Sequence, residues 1–408
     1  MAGAPGSHVV VAPNGASTYS SGGVVRYDLS QLASLQGPPP RKSYIRSFGM
    51  NVDQNLVQST GTELMAWQRF YQIISSVILQ MQGHQFINLP FSGGQSLRLL
   101  NFIMFGKAPT VATSVSFTSG AAQTIYTKFI IPCYDPRLVS SSDDNQEMNI
   151  LPVGILTGTY LQVTFAASTI YNGTGTWTIS TSLTKIRTLT AEIVQLTEVR
   201  YPALWAWEER NQAAATDFVT PEGVLYTDIH MTVIPSATAD LVADILTASQ
   251  ITNIIFTNQN GLKAIDNLTG GDVQTLYNQQ QAMSSEGYCP NFESNLADFI
   301  PLQYVPRSSG CKGHIQPDLS KPYLQVSGAV STTAAGGFRL LLGYTKPTGP
   351  RTVADLAAKA NQPLPAGFTA NPKSYLQAKG SFGAGTSFHA QVIGTPSASS
   401  GVAPVQGS

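Results

Sequence analysis

Three places in this chain bring together residue types that could do chemistry. Cys311-Lys312-Gly313-His314, with Cys289 upstream, offers three candidate ligands for a metal ion. The spacing matches no standard zinc site, and a loop cysteine beside a solvated histidine accounts for it. Asp143-Asp144 with Glu147 clusters the carboxylate oxygens that calcium takes; an exposed polar loop accounts for that too. The third place is aromatic. Tyr201-Pro202-Ala203-Leu204-Trp205-Ala206-Trp207-Glu208-Glu209-Arg210 holds two of the four tryptophans. Such a pair can stack on a sugar, or fill a junction between domains or subunits. The segment lies where the first half of an internal repeat ends. Trp205 and Trp207 are therefore read as a domain or subunit junction, with Glu208, Glu209 and Arg210 on its rim.

No catalytic pattern accompanies them. The chain has no Gly-x-Ser-x-Gly, no phosphate-cradling glycine loop ending in Lys-Ser/Thr, and no His-Glu-x-x-His. The histidines, His8, His84, His230, His314 and His389, are scattered. The expectation is a protein that is not an enzyme, with no catalytic residues, no resident metal and no cofactor.

Composition narrows the class. Of 408 residues, 42% are hydrophobic, enough for sizeable cores, and only 11% are charged, against about 25% in an ordinary soluble protein. A monomer keeps itself in solution with surface charge. A chain so poor in charge is expected to hide surface against other subunits, or to be a secreted, loop-rich β protein. Lys plus Arg equals Asp plus Glu at 23 each, so no net charge steers it to nucleic acid. Three cysteines, Cys133, Cys289 and Cys311, do not read as a disulfide framework and fit a reducing cytoplasm. No run of about 20 apolar residues predicts a membrane span, and the N-terminus lacks the basic-then-apolar order of a secretory signal.

The elements that would position these residues are strands. Residues 1–42 are rich in Gly, Ser, Ala and Pro, ending in Gly37-Pro38-Pro39-Pro40-Arg41-Lys42, and read as a loose arm. Leu29, Leu32 and Leu35 could line one face of a short helix within it. From about 43 to 200 strand follows strand. Thr176 to Lys185 alternates, with Trp177, Ile179 and Leu183 on one face. Helical spacing occurs at Ala239 to Ser249 and at Asp272 to Met283, between strand-like runs such as Ile251 to Phe256 and Tyr323 to Val330. After about 348 the chain is low in complexity. Short strands with frequent turns predict sandwiches or barrels.

The halves echo each other. Phe129-Ile130-Ile131-Pro132 through Pro136 is matched by Phe299-Ile300-Pro301 through Pro306. Tyr160-Leu161-Gln162-Val163 recurs as Tyr323-Leu324-Gln325-Val326. Trp177-x-Ile179 before Thr184-Lys185 recurs as Phe338-x-Leu340 before Thr345-Lys346. Three matches in one order indicate tandem duplication of a β domain.

This order, with the closing strand Phe338-Arg339-Leu340-Leu341-Leu342-Gly343-Tyr344, resembles the double jelly-roll major capsid proteins of the tectivirus and adenovirus lineage. The likeness covers roughly 43 to 347. It implies an all-β chain of two tandem eight-stranded jelly-roll sandwiches with a few short helices. The domain map is an N-terminal arm at 1–42, a first roll at 43–210, a second at 211–347 and a flexible tail at 348–408. The implied function is a coat protein whose pseudo-hexagonal homotrimers tile an icosahedral virion shell, assembled in host cytoplasm, over an internal lipid membrane. Partners would be neighbouring capsid trimers and minor capsid or vertex proteins. Arg26, Leu29, Leu32 and Leu35 are the candidates for a membrane-proximal contact. Arg26 is the only basic residue in 1–40. Direct contact with nucleic acid, which needs clustered Lys and Arg, is not expected. The rival readings are a secreted two-domain β-sandwich that binds glycans through Trp205 and Trp207, and a viral spike protein.

Overall fold

The computed structural model describes residues 7–35, 42–59, 62–65, 67–81, 83–105, 115–133, 151–153, 158–171, 177–196, 205–213, 215–217, 225–233, 251–257, 263–282, 299–303, 323–328 and 337–345. The chain is all-β with few helices, as the sequence predicts. The cause is visible in single strands. In Tyr160–Phe165, Leu161, Val163 and Phe165 are buried while Tyr160, Gln162 and Thr164 are half-buried. That period of two is the pleat of a sheet with one face on a core.

The first half runs β1 (Ser7–Val10), β2 (Val24–Asp28), β3 (Lys42–Gln58), β4 (Thr62–Met65), β5 (Ile74–Met81), β6 (His84–Leu89), α1 (Gly93–Phe105), β7 (Val115–Thr118) and β8 (Ala122–Pro132). It continues through β9 (Leu151–Pro152), β10 (Tyr160–Phe165), β11 (Trp177–Ile179) and β12 (Lys185–Leu196). The second half runs β13 (Trp205–Ala213), β14 (Ala215–Asp217), β15 (Leu225–Val233), β16 (Ile251–Thr257), β17 (Lys263–Leu268), α2 (Gly270–Ala282), β18 (Phe299–Gln303), β19 (Tyr323–Gly328) and β20 (Gly337–Thr345).

Two jelly rolls follow from the pairing. In the first, one sheet has the order β1-β12-β3-β8 and the facing sheet β2-β10-β5-β6. In the second, the orders are β13-β20-β15-β18 and β14-β19-β16-β17. Strand for strand, in the same chain order, these are one topology used twice. The helices obey the same correspondence: each follows the last strand of the second sheet and precedes the edge strand of the first.

Two of the three sequence echoes fall on equivalent strands, β8 with β18 and β10 with β19. The third does not. Trp177–Ile179 forms β11, paired with Leu56–Gln58 at the end of β3, whereas Phe338 lies within β20, whose equivalent is β12. A turn after Ile179 also carries Leu183 out to 57% exposure, off the face expected for it. A short apolar-x-apolar match is satisfied by any half-buried strand, so it does not identify which strand.

Residues 7–35 are not a loose arm. β1 pairs with β12 and β2 with β10, so this stretch supplies two strands of the first roll. Its Gly/Ser/Pro composition is that of turns, yet Val11, Tyr19, Val25 and Tyr27 are all buried. The boundary near 210 is also displaced. Trp205–Ala213 is hydrogen-bonded along its whole length to Gly337–Thr345, so the second roll begins by Trp205. The tail from 348 lies outside the described residues, as do Ala239 to Ser249. The helix expected from Asp272 is α2, and Leu29–Leu35 forms a 3-10 helix. The helix α1 was legible only as part of a strand-rich region.

The first core is rich in phenols taken from water. Burial pushes Tyr27 and Tyr71 well above the usual tyrosine range, and Tyr171 likewise. Tyr171 donates to Gln54 Oε1 at 2.7 Å, whose Nε2 donates to Phe70 O at 2.8 Å. In the unfolded chain these phenols ionise near 10. Above that pH the native state holds protons the unfolded state has lost, so stability falls as pH rises. Denaturant titrations should show the midpoint unchanged between pH 7 and 9 and dropping above about 10. A flat profile to pH 11.5, roughly one unit and a half beyond that ionisation, would contradict this burial.

Candidate assembly site at the junction of the rolls

The junction is built from one sheet that is covered on both faces. On β13, Trp205 and Trp207 belong to the first roll's core, whereas Ala206 belongs to the second's. On β20, Leu341 faces the first core, and Leu340 and Leu342 face the second. This explains the run Leu340-Leu341-Leu342: a strand buried on both sides reads as continuous apolar sequence, not as alternation. The two rolls also share a sheet. β6 pairs in parallel with β13 through Trp207↔Ile87 and Glu208↔Asn88, making one eight-stranded sheet ordered β18-β15-β20-β13-β6-β5-β10-β2.

Trp205 is 1% exposed, with its ring 5.0 Å from that of Phe86 and its carbonyl 3.0 Å from His84 Nε2. Both indoles are enclosed by protein. Neither offers a face to a sugar, which removes the basis of the glycan-binding reading. Glu208 pairs with Arg210 at 2.7 Å and accepts from Tyr344 Oη at 3.1 Å, half-buried on the second roll's side.

Glu209 is not a rim residue. It is 3% exposed, and its carboxylate meets the start of α1. Oε2 accepts from Phe91 N at 2.9 Å and Ser92 N at 3.0 Å. Oε1 accepts from Ser92 Oγ at 3.0 Å and from Ser96 Oγ. The first turn of α1 contains no acidic residue, so the anion that complements its positive end comes from the other roll. Arg339, on β20, donates from Nη1 to Ser92 Oγ at 2.6 Å. Burial pushes its guanidinium below the ordinary value, and Glu209 pulls it back up. By contrast α2 caps itself: Asp272 N donates to Thr269 Oγ1 at 3.1 Å, and Thr269 Oγ1 to Asp272 Oδ2 at 2.7 Å. This reciprocal cap holds the Asp272 carboxyl below the usual range.

α1 is buried on every side, from Leu97 through Ile103. Arg98 is fully buried, its guanidinium 5.4 Å from the rings of Trp67 in the first roll and Phe299 in the second. The helix can lie so deep because it opens on Gly93-Gly94. A Cβ on Gly94 would stand 1.9 Å from Tyr71 O, and one on Gly93 2.8 Å from Val77 N. At Gly271, the matching position in α2, the nearest atom would be Thr269 Oγ1 at 3.9 Å. Gly94→Ala should therefore cost at least about 1–3 kcal/mol through overpacking. Gly271→Ala should be neutral or slightly stabilising. Paired urea titrations check this, and equal midpoints for the two variants would refute the seating of α1.

The residues expected at a membrane are elsewhere engaged. Leu29 and Leu32 are buried in the first core and Leu35 packs against it. Arg26 sits over the Tyr160 ring at 3.9 Å. The apolar face is already covered by protein, so it is not available to lipid. Cys133 is buried and its thiol is pushed well up by burial. Cys289, Cys311, His314, Asp143, Asp144 and Glu147 lie outside the described residues. Among the described residues no three His, Cys, Asp or Glu side chains gather as a metal site, and no helix is long and apolar enough to cross a membrane.

The sequence clues to this junction were partial. Trp205 and Trp207 stood out by type. Ser92 and Arg339 did not, because the Ser92–Glu209 bond spans 117 residues and the Ser92–Arg339 bond 247. The usable signal was the glycine pair that opens both helices, Gly93-Gly94 and Gly270-Gly271.

Comparison with known proteins gives a likeness of fold. No family model matches the sequence, and no curated protein matches it. Among solved structures, the PBCV-1 virus capsid aligns with TM-score 0.50 at 11% identity, covering 83% of this chain and 93% of that one. The MCP of STIV, Sulfolobus turreted icosahedral virus, aligns with TM-score 0.49 at 12% identity over 83% and 96%. The major capsid protein of bacteriophage PM2 aligns with TM-score 0.41 at 13% identity over 84% and 97%. The chain has the double jelly-roll fold.

Proposed function

We propose that this chain is the major coat subunit of an icosahedral virus, a structural protein and not an enzyme, located in the virion shell. The observation that carries the reading is the pair of equivalent jelly rolls fused through a sheet buried on both faces. The fold shared with the PBCV-1 capsid supports it. A fused pair of this kind presents two similar units at a fixed angle, and three copies give six similar corners. The functional unit is a homotrimer that meets neighbouring trimers and minor or vertex proteins. The scarcity of clustered Lys and Arg supports a shell that does not bind nucleic acid directly; lipid beneath the shell accords with that scarcity.

Native mass spectrometry of the purified chain should give three times the chain mass. Electron microscopy at raised concentration should show flat, six-cornered particles. A monomer at tens of micromolar, with no higher species, would overturn the reading.

A further inference from the structure

A histidine and a carboxylate are sealed into the seam between the rolls. On β15, Ile229 and Met231 belong to the second core. Asp228 and His230 alternate with them and so point the other way, toward the first roll. The register agrees: His230 lies opposite Leu341, which faces the first core, and Asp228 lies opposite Gly343. Both side chains are fully buried, and His230 Nε2 stands 3.2 Å from Asp228 Oδ1. An ionised carboxylate only accepts, so Nε2 is the donor and carries the proton.

The surrounding charges set what a second proton on this imidazole would do. Arg339 on β20 and Glu209 on β13 face the same seam. From α1 comes Arg98, whose guanidinium is 5.4 Å from the Phe299 ring. Phe299 lies opposite Thr232, one step along this face from His230. β18 adds no titratable group here, since its residues on this face are Phe299, Pro301 and Gln303. Arg69, another buried guanidinium of the region, acts on Tyr171 within the first roll. Among the described residues the seam thus holds two carboxylates, Asp228 and Glu209, and two guanidiniums, Arg98 and Arg339. It is balanced while His230 is neutral. Asp228 alone would draw a proton onto the imidazole. In this seam that proton makes a third cation against two anions, with no water to screen it.

We infer that His230 is an acid-sensitive latch: neutral, it keeps the seam closed, and its protonation in mild acid parts the two rolls. An imidazole in water takes up its proton near about 6.5. The closed seam resists that proton, whereas the opened or unfolded chain accepts it. Below about 6.5 the open states bind more protons than the closed one, so the closed state loses stability as pH falls. The latch acts within a single chain and does not depend on the coat reading. In a shell of such subunits it loosens each one at its middle when the particle enters an acidic compartment.

His84 supplies the contrast. It also lies at the seam, on β6, with Nε2 3.0 Å from Trp205 O. A carbonyl acceptor suits the neutral and the charged ring alike, and this ring retains 9% exposure. Its protonation leaves the contact in place.

The test uses the full chain at one protein concentration, because association shifts apparent stability. Urea titrations at about pH 7.5 and about pH 5.5 bracket the free imidazole's titration. They compare the parent with His84→Gln and with His230→Gln, which keeps a donor for Asp228 and cannot charge. On acidification the unfolding equilibrium constant should rise about tenfold more in the parent than in His230→Gln, the effect of one proton excluded from the closed state. His84→Gln should track the parent. Hydrogen exchange on the parent, corrected for intrinsic rates, gives a second readout. Amides where β6 pairs with β13 should lose about tenfold in protection between the two pH values, and those at the centre of β3 and β12 clearly less. An equal acid response in His230→Gln and the parent overturns the latch. So does a parent that gains stability over His230→Gln in acid, the sign of a charged His230–Asp228 pair. If His230→Gln does not fold, unchanged protection at the β6–β13 pairing of the parent overturns it. None of these outcomes touches the coat reading, which turns on the mass of the assembly.

Discussion

Glu209→Ala should lower the unfolding free energy by about 3–5 kcal/mol, the usual cost of removing one partner from a buried charge pair. The size follows from what is stranded, not from what the carboxylate contributes net. Burying a carboxylate costs several kcal/mol, and its hydrogen bonds and the α1 dipole roughly offset that. Removing it leaves Phe91 N, Ser92 N and two serine hydroxyls without their acceptor, and Arg339 without its counter-charge. Because the acceptor sits in one roll and the donors in the other, the loss should also uncouple them. The parent is expected to unfold in one transition by calorimetry and the variant in two. Glu209→Gln keeps two acceptor lone pairs and should lose clearly less. A midpoint shift for Glu209→Ala no larger than that of an exposed Glu→Ala change would contradict the capping role.

Trp205→Ala should be comparably severe, at about 3–5 kcal/mol for a large aromatic removed from a packed interior. The side chain is 1% exposed and rests on Phe86, at the place where β13 joins β6 into one sheet. Trp177 is the useful comparison. It is 4% exposed and stacks edge-on to Phe117 at 4.7 Å, wholly within the first roll. Truncating Trp177 should destabilise the first roll and leave the second folded. Truncating Trp205 should destabilise both, since its cavity opens at the seam. Hydrogen exchange separates these cases: amides of β16 and β19 should lose protection in the Trp205 variant and keep it in the Trp177 variant. Equal protection loss in the two variants would mean that the seam does not couple the rolls.

Much of the fold was legible because local physics and tertiary structure agree along most strands. The paired echoes Phe129/Phe299 and Tyr160/Tyr323 were enough to indicate one sandwich used twice. The sequence misled where a segment's composition reflects its turns more than its strands. Residues 7–35 are dominated by small and polar residues, yet a few side chains such as Tyr19, Val25 and Tyr27 complete the first core. α1 escaped for a related reason. It has no acidic N-terminal signal, since its capping carboxylate lies 117 residues away from Ser92.

The amino-acid sequence by itself determined that strands would form and that they would recur in two sets. These depend on periods of two and on residue type, which are local properties. Only the tertiary structure decided which face each residue of the boundary presents, and to what. Leu340, Leu341 and Leu342 are chemically alike, but the middle one serves one roll and its neighbours the other. Glu208 and Glu209 are adjacent and identical, but one bonds Arg210 and the other caps a helix in the opposite roll. A pleat assigns neighbouring side chains to opposite faces. What lies on each face is fixed by pairings hundreds of residues apart, such as Ser92 with Arg339 at a separation of 247, and no local pattern encodes them.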